Sequence, residues 1–196
     1  MSDLKKAIRL TIVLTIICGL AYPLVVTGIG QVLFTKQANG SLVEYNGEVV
    51  GSKLIGQTFN DDKHFVGRLS NVGYNISEDG KEMDATSGSA NTSPSSPDLK
   101  ERVEADVKEF LERNPTLSKE DVSNELISQS GSGLDPHITP RGAEIQIPRI
   151  AKATGLAEED LKELVEKKTD GRWLGLYGEE RVNVLELNIA IEEAIK

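Results

Sequence analysis

The chain has 196 residues, 27% of them charged, and a formal net charge of -9, long enough for one ordinary domain with its own core beside a membrane segment. The acidic balance argues against nucleic acid and against docking on an anionic lipid surface. Cys18 is the only cysteine, which rules out an intramolecular disulfide and leaves any folded part to rely on its core.

Residues 10–35 carry no formal charge. As a helix rising ~1.5 Å per residue they would reach ~39 Å, enough to cross a ~30 Å hydrocarbon layer with some tilt. Lys5, Lys6 and Arg9 precede the stretch, and Lys36 is the only charge close behind it. That bias places residues 1–9 in the cytoplasm and residues 36–196 outside. The apolar run continues through Val25, Val26, Ile29, Val32, Leu33 and Phe34, longer than a cleavable signal needs, so an uncleaved anchor is expected. Ile16 and Ile17 stand before Cys18 where a lipoprotein signal wants small residues. Without Asp3, Lys5, Lys6 and Arg9 the remainder has 19 basic and 30 acidic residues, a net charge of -11.

Within the span Thr11, Thr15, Gly19, Pro23, Thr27 and Gln31 recur at every fourth position. Helices in lipid associate through small residues and interhelical hydrogen bonds, so this stripe is the expected contact with a larger membrane protein. Pro23 also frees a backbone carbonyl in mid-membrane. One helix encloses no ion path, so any transport belongs to partners.

Beyond the membrane, residues 42–45 and 48–50 flank Asn46 and Gly47, the pair suited to the two positive-φ positions of a type I′ hairpin. Residues 64–70 are expected as a second short extended piece, and His64 has no second His or Cys nearby, which argues against a metal site. From about residue 73 to 97 apolar content collapses into a flexible polar loop. Ser96 and Pro97 then open a helix with Leu99, Val103, Val107, Phe110 and Leu111 on one face, until Asn114 and Pro115 stop it.

The densest chemical punctuation is the run SGSGLDPHITP over residues 130–140. Ser130, Gly131, Ser132, Gly133 and Leu134 offer a Gly-rich candidate binding or interface loop, Asp135 and His137 add titratable groups, and Thr139 with Pro140 caps a following helix. It lacks the Gly-Lys-Ser/Thr ending of a P-loop, and His137 lies too close in sequence to Ser132 for a hydrolase triad. Residues 140–154 read as one helix with Pro148 an internal irregularity and Gly155 its stop, carrying Gln146 and Arg149 on a shared face near the loop. Residues 157–168 form a further helix with Leu161, Leu164 and Val165 inward. Asn183 and Glu186 have capping spacing for a last helix bearing Val184, Leu187, Ile191 and Ile195. Trp173 and Tyr177 are expected in the core. The predicted architecture is α+β: a single N-terminal transmembrane helix followed by one soluble α+β domain.

Taken together the motifs resemble one family, the C subunits of the bacterial Kdp potassium-transporting P-type ATPases. The likeness runs through Gly19, Tyr22, Pro23, Leu24, Thr27 and Gln31, residues 38–42, Gly51-Ser52, residues 54–57, Phe65 with Gly67-Arg68 and Ser70, the Gly-rich loop, Gln146, Arg149, Ala151 and Gly155-Leu156, and residues 178–188. It departs at Leu69, Ser89, Ala90, Ser96 and Thr139. The resemblance implies a noncatalytic subunit of a potassium import complex in the cell membrane. Its partners would be a channel-like potassium-binding subunit, an ATP-hydrolysing P-type subunit and a small single-span subunit. It implies ATP and Mg only at the level of the complex, with assembly and stabilisation as one role and a catalytic chaperone as the other. A catalytic-chaperone role, raising the ATP affinity of the hydrolysing subunit through the Gly-rich loop, conflicts with a loop placed outside the cell. The reading of another class is an exported, membrane-anchored binding or hydrolytic domain.

Overall fold

A computed structural model of the chain describes residues 2–77, 80, 81 and 83–196. Part of the predicted polar loop, residues 78, 79 and 82, thus lies outside the described residues. The chain divides into two compact units, Met1–Ser52 and Lys53–Lys196.

The first unit is dominated by the apolar helix. Helix α1 (Ser2–Ile16) continues through a π-helical turn, Ile17–Ala21, into α2 (Tyr22–Leu33). The continuous run Asp3–Leu33, 31 residues, is long and apolar enough to cross a membrane. Pro23 explains the wide turn. Having no N–H, it leaves the helical ladder one donor short, and the chain adjusts by bonding the Tyr22 N–H to the Ile17 carbonyl, five residues back. Helix direction is lost at Phe34 (φ -133, ψ 40), after which a single turn, α3 (Thr35–Ala38), follows. There Gln31 and Asn39 exchange two amide hydrogen bonds (3.2 and 3.3 Å), and the Asn39 amide also donates to the Thr35 carbonyl (2.7 Å). Strands β1 (Leu42–Tyr45) and β2 (Glu48–Ser52) form the expected antiparallel hairpin. Its turn residues Asn46 (φ 53) and Gly47 (φ 86) both occupy the positive-φ region that a type I′ turn demands.

The second unit places helices around a small antiparallel sheet. Helix α4 (Pro97–Arg113) buries Val107 and Phe110 and ends where Asn114 folds its amide back onto the Phe110 carbonyl (2.8 Å). Strand β3 (His137–Ile138) leads into α5 (Pro140–Glu144), α6 (Ile147–Thr154) and α7 (Glu158–Lys167). Strand β4 (Thr169–Asp170), strand β5 (Arg181–Asn183) and α8 (Val184–Ala194) complete the unit. The sheet order is β3-β5-β4, with both pairings antiparallel. Phe65, Ile138, Ile147, Ile150, Leu161, Val165, Val182, Leu187 and Ile191 form the heart of the core.

Caps fall where the local chemistry puts them. Thr139 accepts from the Gly142 N–H (3.1 Å), Asn183 accepts from the Glu186 N–H (3.1 Å), and Gly155 ends α6 at φ 78.

Three expectations are corrected. Residues 140–154 form two helices rather than one, because Pro148 supplies no N–H for the Glu144 carbonyl. Placed in the first turn of α6, where helical N–H groups lack partners anyway, it is accommodated. Trp173 and Tyr177 are not core but project from the β4–β5 connection into solvent. Residues 64–70 are not a strand of the sheet, although Leu69 makes an isolated parallel bridge to Gln129.

Candidate functional site

The backbone of residues 62–66 is held by side chains instead of a neighbouring strand. The Phe65 N–H donates to Asn188 Oδ1 (2.8 Å), and Asn188 Nδ2 returns a bond to the Phe65 carbonyl (3.0 Å). Gln146 repeats the device one residue on, accepting from the Val66 N–H (2.9 Å) and donating to the Val66 carbonyl (3.2 Å). Each carboxamide reproduces the two-point exchange of a sheet ladder, so the segment can run beneath the core without orphaned backbone groups. Gln146 Nε2 also donates to the Gly142 carbonyl (2.9 Å), satisfying an acceptor exposed by the break between α5 and α6.

Arg149 completes this clamp. Its Nη1 donates to the carbonyls of Asp62 (2.7 Å) and His64 (3.0 Å), Nη2 to Gln146 Oε1 (2.9 Å), and Nε to Asn114 Oδ1 (3.1 Å). The guanidinium is buried, and burial, followed by the charge of Arg113, brings its pKa down to about 10. Gln146 and Arg149, sequence candidates for a binding face beside the Gly-rich loop, are thus bonded to residues 62–66 and Asn114.

The same segment reaches the Gly-rich loop at its other end. Arg68 Nη1 pairs with Asp135 Oδ2 (3.1 Å), Ser70 Oγ donates to the Gly133 carbonyl (2.6 Å), and the Ser130 N–H donates to the Leu69 carbonyl (3.2 Å). The loop's carbonyls also receive more distant strands of chain. Ser132 accepts from the Gly88 N–H (2.8 Å) and the Ser87 hydroxyl (3.0 Å), and Leu134 accepts from the Gly56 N–H (2.9 Å). Inside the loop the Gly133 N–H is spent on the Ser130 carbonyl (3.2 Å) and the Leu134 N–H on Ser132 Oγ (3.1 Å). Ser130 is buried, whereas Gly131 and Ser132 are exposed. Two glycines are required by this packing. At Gly133 (φ +68) a Cβ would lie 2.8 Å from both the Gly88 carbonyl and Val72, and at Gly56 it would meet the Asp135 carbonyl and the Tyr74 ring at 2.5 Å.

Asp135 is the electrostatic centre of the loop. It accepts from the His137 N–H (3.0 Å), with the His137 ring nitrogen 3.6 Å away. The His137 side chain, helped by that N–H and by Arg68, outweighs partial burial and holds the carboxyl at about 2. Burial, with the Asp135 charge adding to it, pushes the Tyr74 phenol up to about 12, so it remains a donor, bonding the Arg68 carbonyl at 2.5 Å.

Arg68, Tyr74, Ser70 and Glu125 are site residues that local sequence reasoning missed. Glu125 receives the Thr139 N–H (3.1 Å) and hydroxyl (2.5 Å), and it crowds Gly142 so closely that a Cβ there would overlap its carboxylate. The partners of Arg68, Ser70 and Glu125 lie 14 to 67 residues away, beyond any capping or periodicity signal. Beside the segment lies a cleft of about 220 Å³, with Phe59, Val66 and Phe110 among its apolar lining and Arg68, Asp106 and Arg113 among its charged lining. Among the described residues no group of three or more His, Cys, Asp or Glu side chains is placed to hold a metal ion.

The six residues of the membrane stripe all lie on the apolar helix: Thr11 and Thr15 before the wide turn, Gly19 within it, and Pro23, Thr27 and Gln31 after it. Gln31 spends its amide on Asn39.

Comparison with known proteins extends these observations over the whole chain. The family described as KdpC, the K+-transporting ATPase c chain, matches residues 4–193. The potassium-transporting ATPase KdpC subunit of Clostridioides difficile (strain 630) is 45% identical over 205 residues, covering 100% of this chain and 99% of that protein. That of Clostridium kluyveri is 48% identical over 98% of this chain and 94% of its own length. That of Bacillus cereus (strain ATCC 14579) is 46% identical over 100% and 97%. With one apolar helix of spanning length among the described residues, ahead of an α+β domain, the chain belongs to the KdpC family and is an accessory subunit of a potassium-transporting ATPase complex.

Proposed function

We propose that the chain performs no catalysis of its own and acts by assembling and stabilising the transport complex. The N-terminus would be cytoplasmic and the C-terminal domain outside the cell. The observation that carries this reading is the use of the Gly-rich loop. A phosphate cradle needs backbone N–H groups converging on an empty space. In this loop the N–H groups of Gly133 and Leu134 are consumed internally and that of Ser130 by the Leu69 carbonyl, and the carbonyls of Ser132, Gly133 and Leu134 fasten residues 56, 70, 87 and 88. That arrangement suits a brace for a docking surface. It also weighs against direct ATP contact, as does the positive flank before the membrane helix.

The proposed partners are the channel-like potassium-binding subunit, the ATP-hydrolysing P-type subunit and the small single-span subunit, with the helix stripe packing against one of the membrane-embedded ones. The catalytic-chaperone reading requires the loop to meet cytoplasmic ATP. Ser132→Cys, at an exposed position, separates the two when intact cells are treated with a membrane-impermeant thiol reagent. Labelling is expected. Protection in intact cells with labelling after lysis would place the loop inside and revive the nucleotide role.

A further inference from the structure

The connection between β4 and β5 carries the most exposed apolar cluster of the second unit. Trp173, Leu174, Leu176 and Tyr177 are 69%, 71%, 75% and 64% exposed. A few lone exposed leucines are ordinary; four large apolar side chains within five consecutive positions mark an interaction site.

This tip is rigid. The Trp173 N–H donates to the Tyr177 carbonyl (2.8 Å), and the Tyr177 N–H donates back to the Trp173 carbonyl (3.0 Å). Further bonds run from the Gly175 N–H to the Arg172 carbonyl (3.0 Å) and from the Leu176 N–H to the Trp173 carbonyl (3.1 Å). The Trp173 and Tyr177 rings lie 5.8 Å apart, and an Arg172–Glu179 ion pair at 2.6 Å closes the base. Leu174 sits at φ 53, a left-handed conformation that glycine or asparagine adopts at lower cost. The fold gains nothing from a leucine there, because its side chain meets solvent.

We propose that this hairpin tip is an anchor inserted into an apolar recess on the surface of a membrane-embedded partner subunit of the complex, on the side of the membrane that this domain occupies. The proposal rests on the assembly role proposed above. Charge selects protein over lipid as the occupant. Membrane-inserting tips pair their apolar residues with free Lys or Arg that meet anionic headgroups. Here Arg172 is paired with Glu179 and Arg181 with Asp170 (3.7 Å), and the span 170–181 has no lysine. What remains is the charge of Glu180, which fits a recess with a basic rim. Preformed aromatic and leucine anchors of this kind lose little entropy on docking and concentrate binding energy.

Leu174→Gly combined with Leu176→Ser tests the idea, since glycine relieves the strained φ and neither side chain is buried. Full-length variant and wild type are each expressed with the other subunits and recovered in mild detergent through a tag on the hydrolysing subunit. The expected result is unchanged or raised thermal stability of the variant chain, with its recovery in the complex reduced about tenfold or more. Recovery equal to wild type would overturn the proposal. Trp173, the only tryptophan, supplies the lipid control: the chain is reconstituted alone in phosphatidylethanolamine–phosphatidylglycerol vesicles carrying brominated acyl chains. Unquenched fluorescence is expected, and strong quenching would reassign the tip to the bilayer. If the wild-type chain itself fails to co-purify, the assembly reading fails and takes the hairpin proposal with it.

Discussion

Replacing Arg149 with methionine keeps the apolar stem and removes the guanidinium that binds residues 62 and 64 to α6. Four hydrogen bonds disappear, to the Asp62 and His64 carbonyls, Gln146 Oε1 and Asn114 Oδ1. At about 1.5 kcal/mol for each charge-assisted bond, the gross loss is on the order of 6 kcal/mol. Against it stands the relief of a buried charge. The fall of the Arg149 pKa from 12.5 to about 10, at about 1.36 kcal/mol per pH unit, corresponds to a net penalty on the order of 3 kcal/mol from burial and the neighbouring Arg113 charge. The net destabilisation is therefore about 3 kcal/mol. For a unit of this size that lowers Tm by about 10 °C. Far-UV circular dichroism of the full chain in micelles reads it, because the membrane helix stays folded in detergent and the transition belongs to the second unit. Lysine at 149 should lose nearly as much, since a compact ammonium cannot reach the four acceptors that the planar fork spans. A fall of less than about 3 °C for Arg149→Met would refute the bookkeeping and show that residues 62–66 are held by Asn188 and Gln146 alone.

The folded Asp135 carboxyl, at about 2, lies below its ordinary 3.8; a depressed acid stabilises the fold above its unfolded pKa and loses that contribution as pH falls through the folded value. Acid titration of stability should therefore show a loss on the order of 2 kcal/mol between about pH 4 and pH 2, and Asp135→Asn should flatten that slope. Gly133→Ala forces a side chain into a left-handed position already facing the Gly88 carbonyl at 2.8 Å. Amide exchange at Gly88, whose N–H bonds Ser132, should accelerate about tenfold or more, matching a local cost above about 1.4 kcal/mol; unchanged exchange would show that the contact relaxes freely. Gly19→Leu fills the small-residue stripe and should lower recovery of the complex from detergent without altering the thermal transition of the second unit; full recovery would remove the stripe from the interface.

Features governed by near neighbours were readable in advance. Asn46-Gly47 had to turn, Thr139 and Asn183 had to cap, and Gly155 had to stop a helix, because each depends on atoms within a few residues. The clamp on residues 62–66 was not readable. Asn188 reaches back 123 residues and Gln146 reaches 80, and nothing in the local pattern distinguishes a carboxamide facing water from one replacing a strand. The Gly-rich loop was found by composition, but its orientation was not, since glycine signals freedom without saying which chain must pass close by. At Gly133 the neighbours are Gly88 and Val72. Trp173 and Tyr177 misled for a related reason: aromatic residues favour burial, and a surface destined for another subunit is buried only in the assembly.

The π-helical turn at Ile17–Ala21 has a geometric consequence for the membrane segment. On an unbroken α-helix each four-residue step advances about 40° beyond a full turn, so the five steps from Thr11 to Gln31 would carry the row about 200° around the axis. Taking up one additional residue in the wide turn returns about 100° of that rotation. Thr11 and Gln31 then finish roughly a quarter turn apart instead of on opposite sides. A proline in the middle of the apolar helix thus acts as a phase corrector, bringing two half-stripes to within about a quarter turn of each other, closer to what the proposed contact with one neighbouring helix needs.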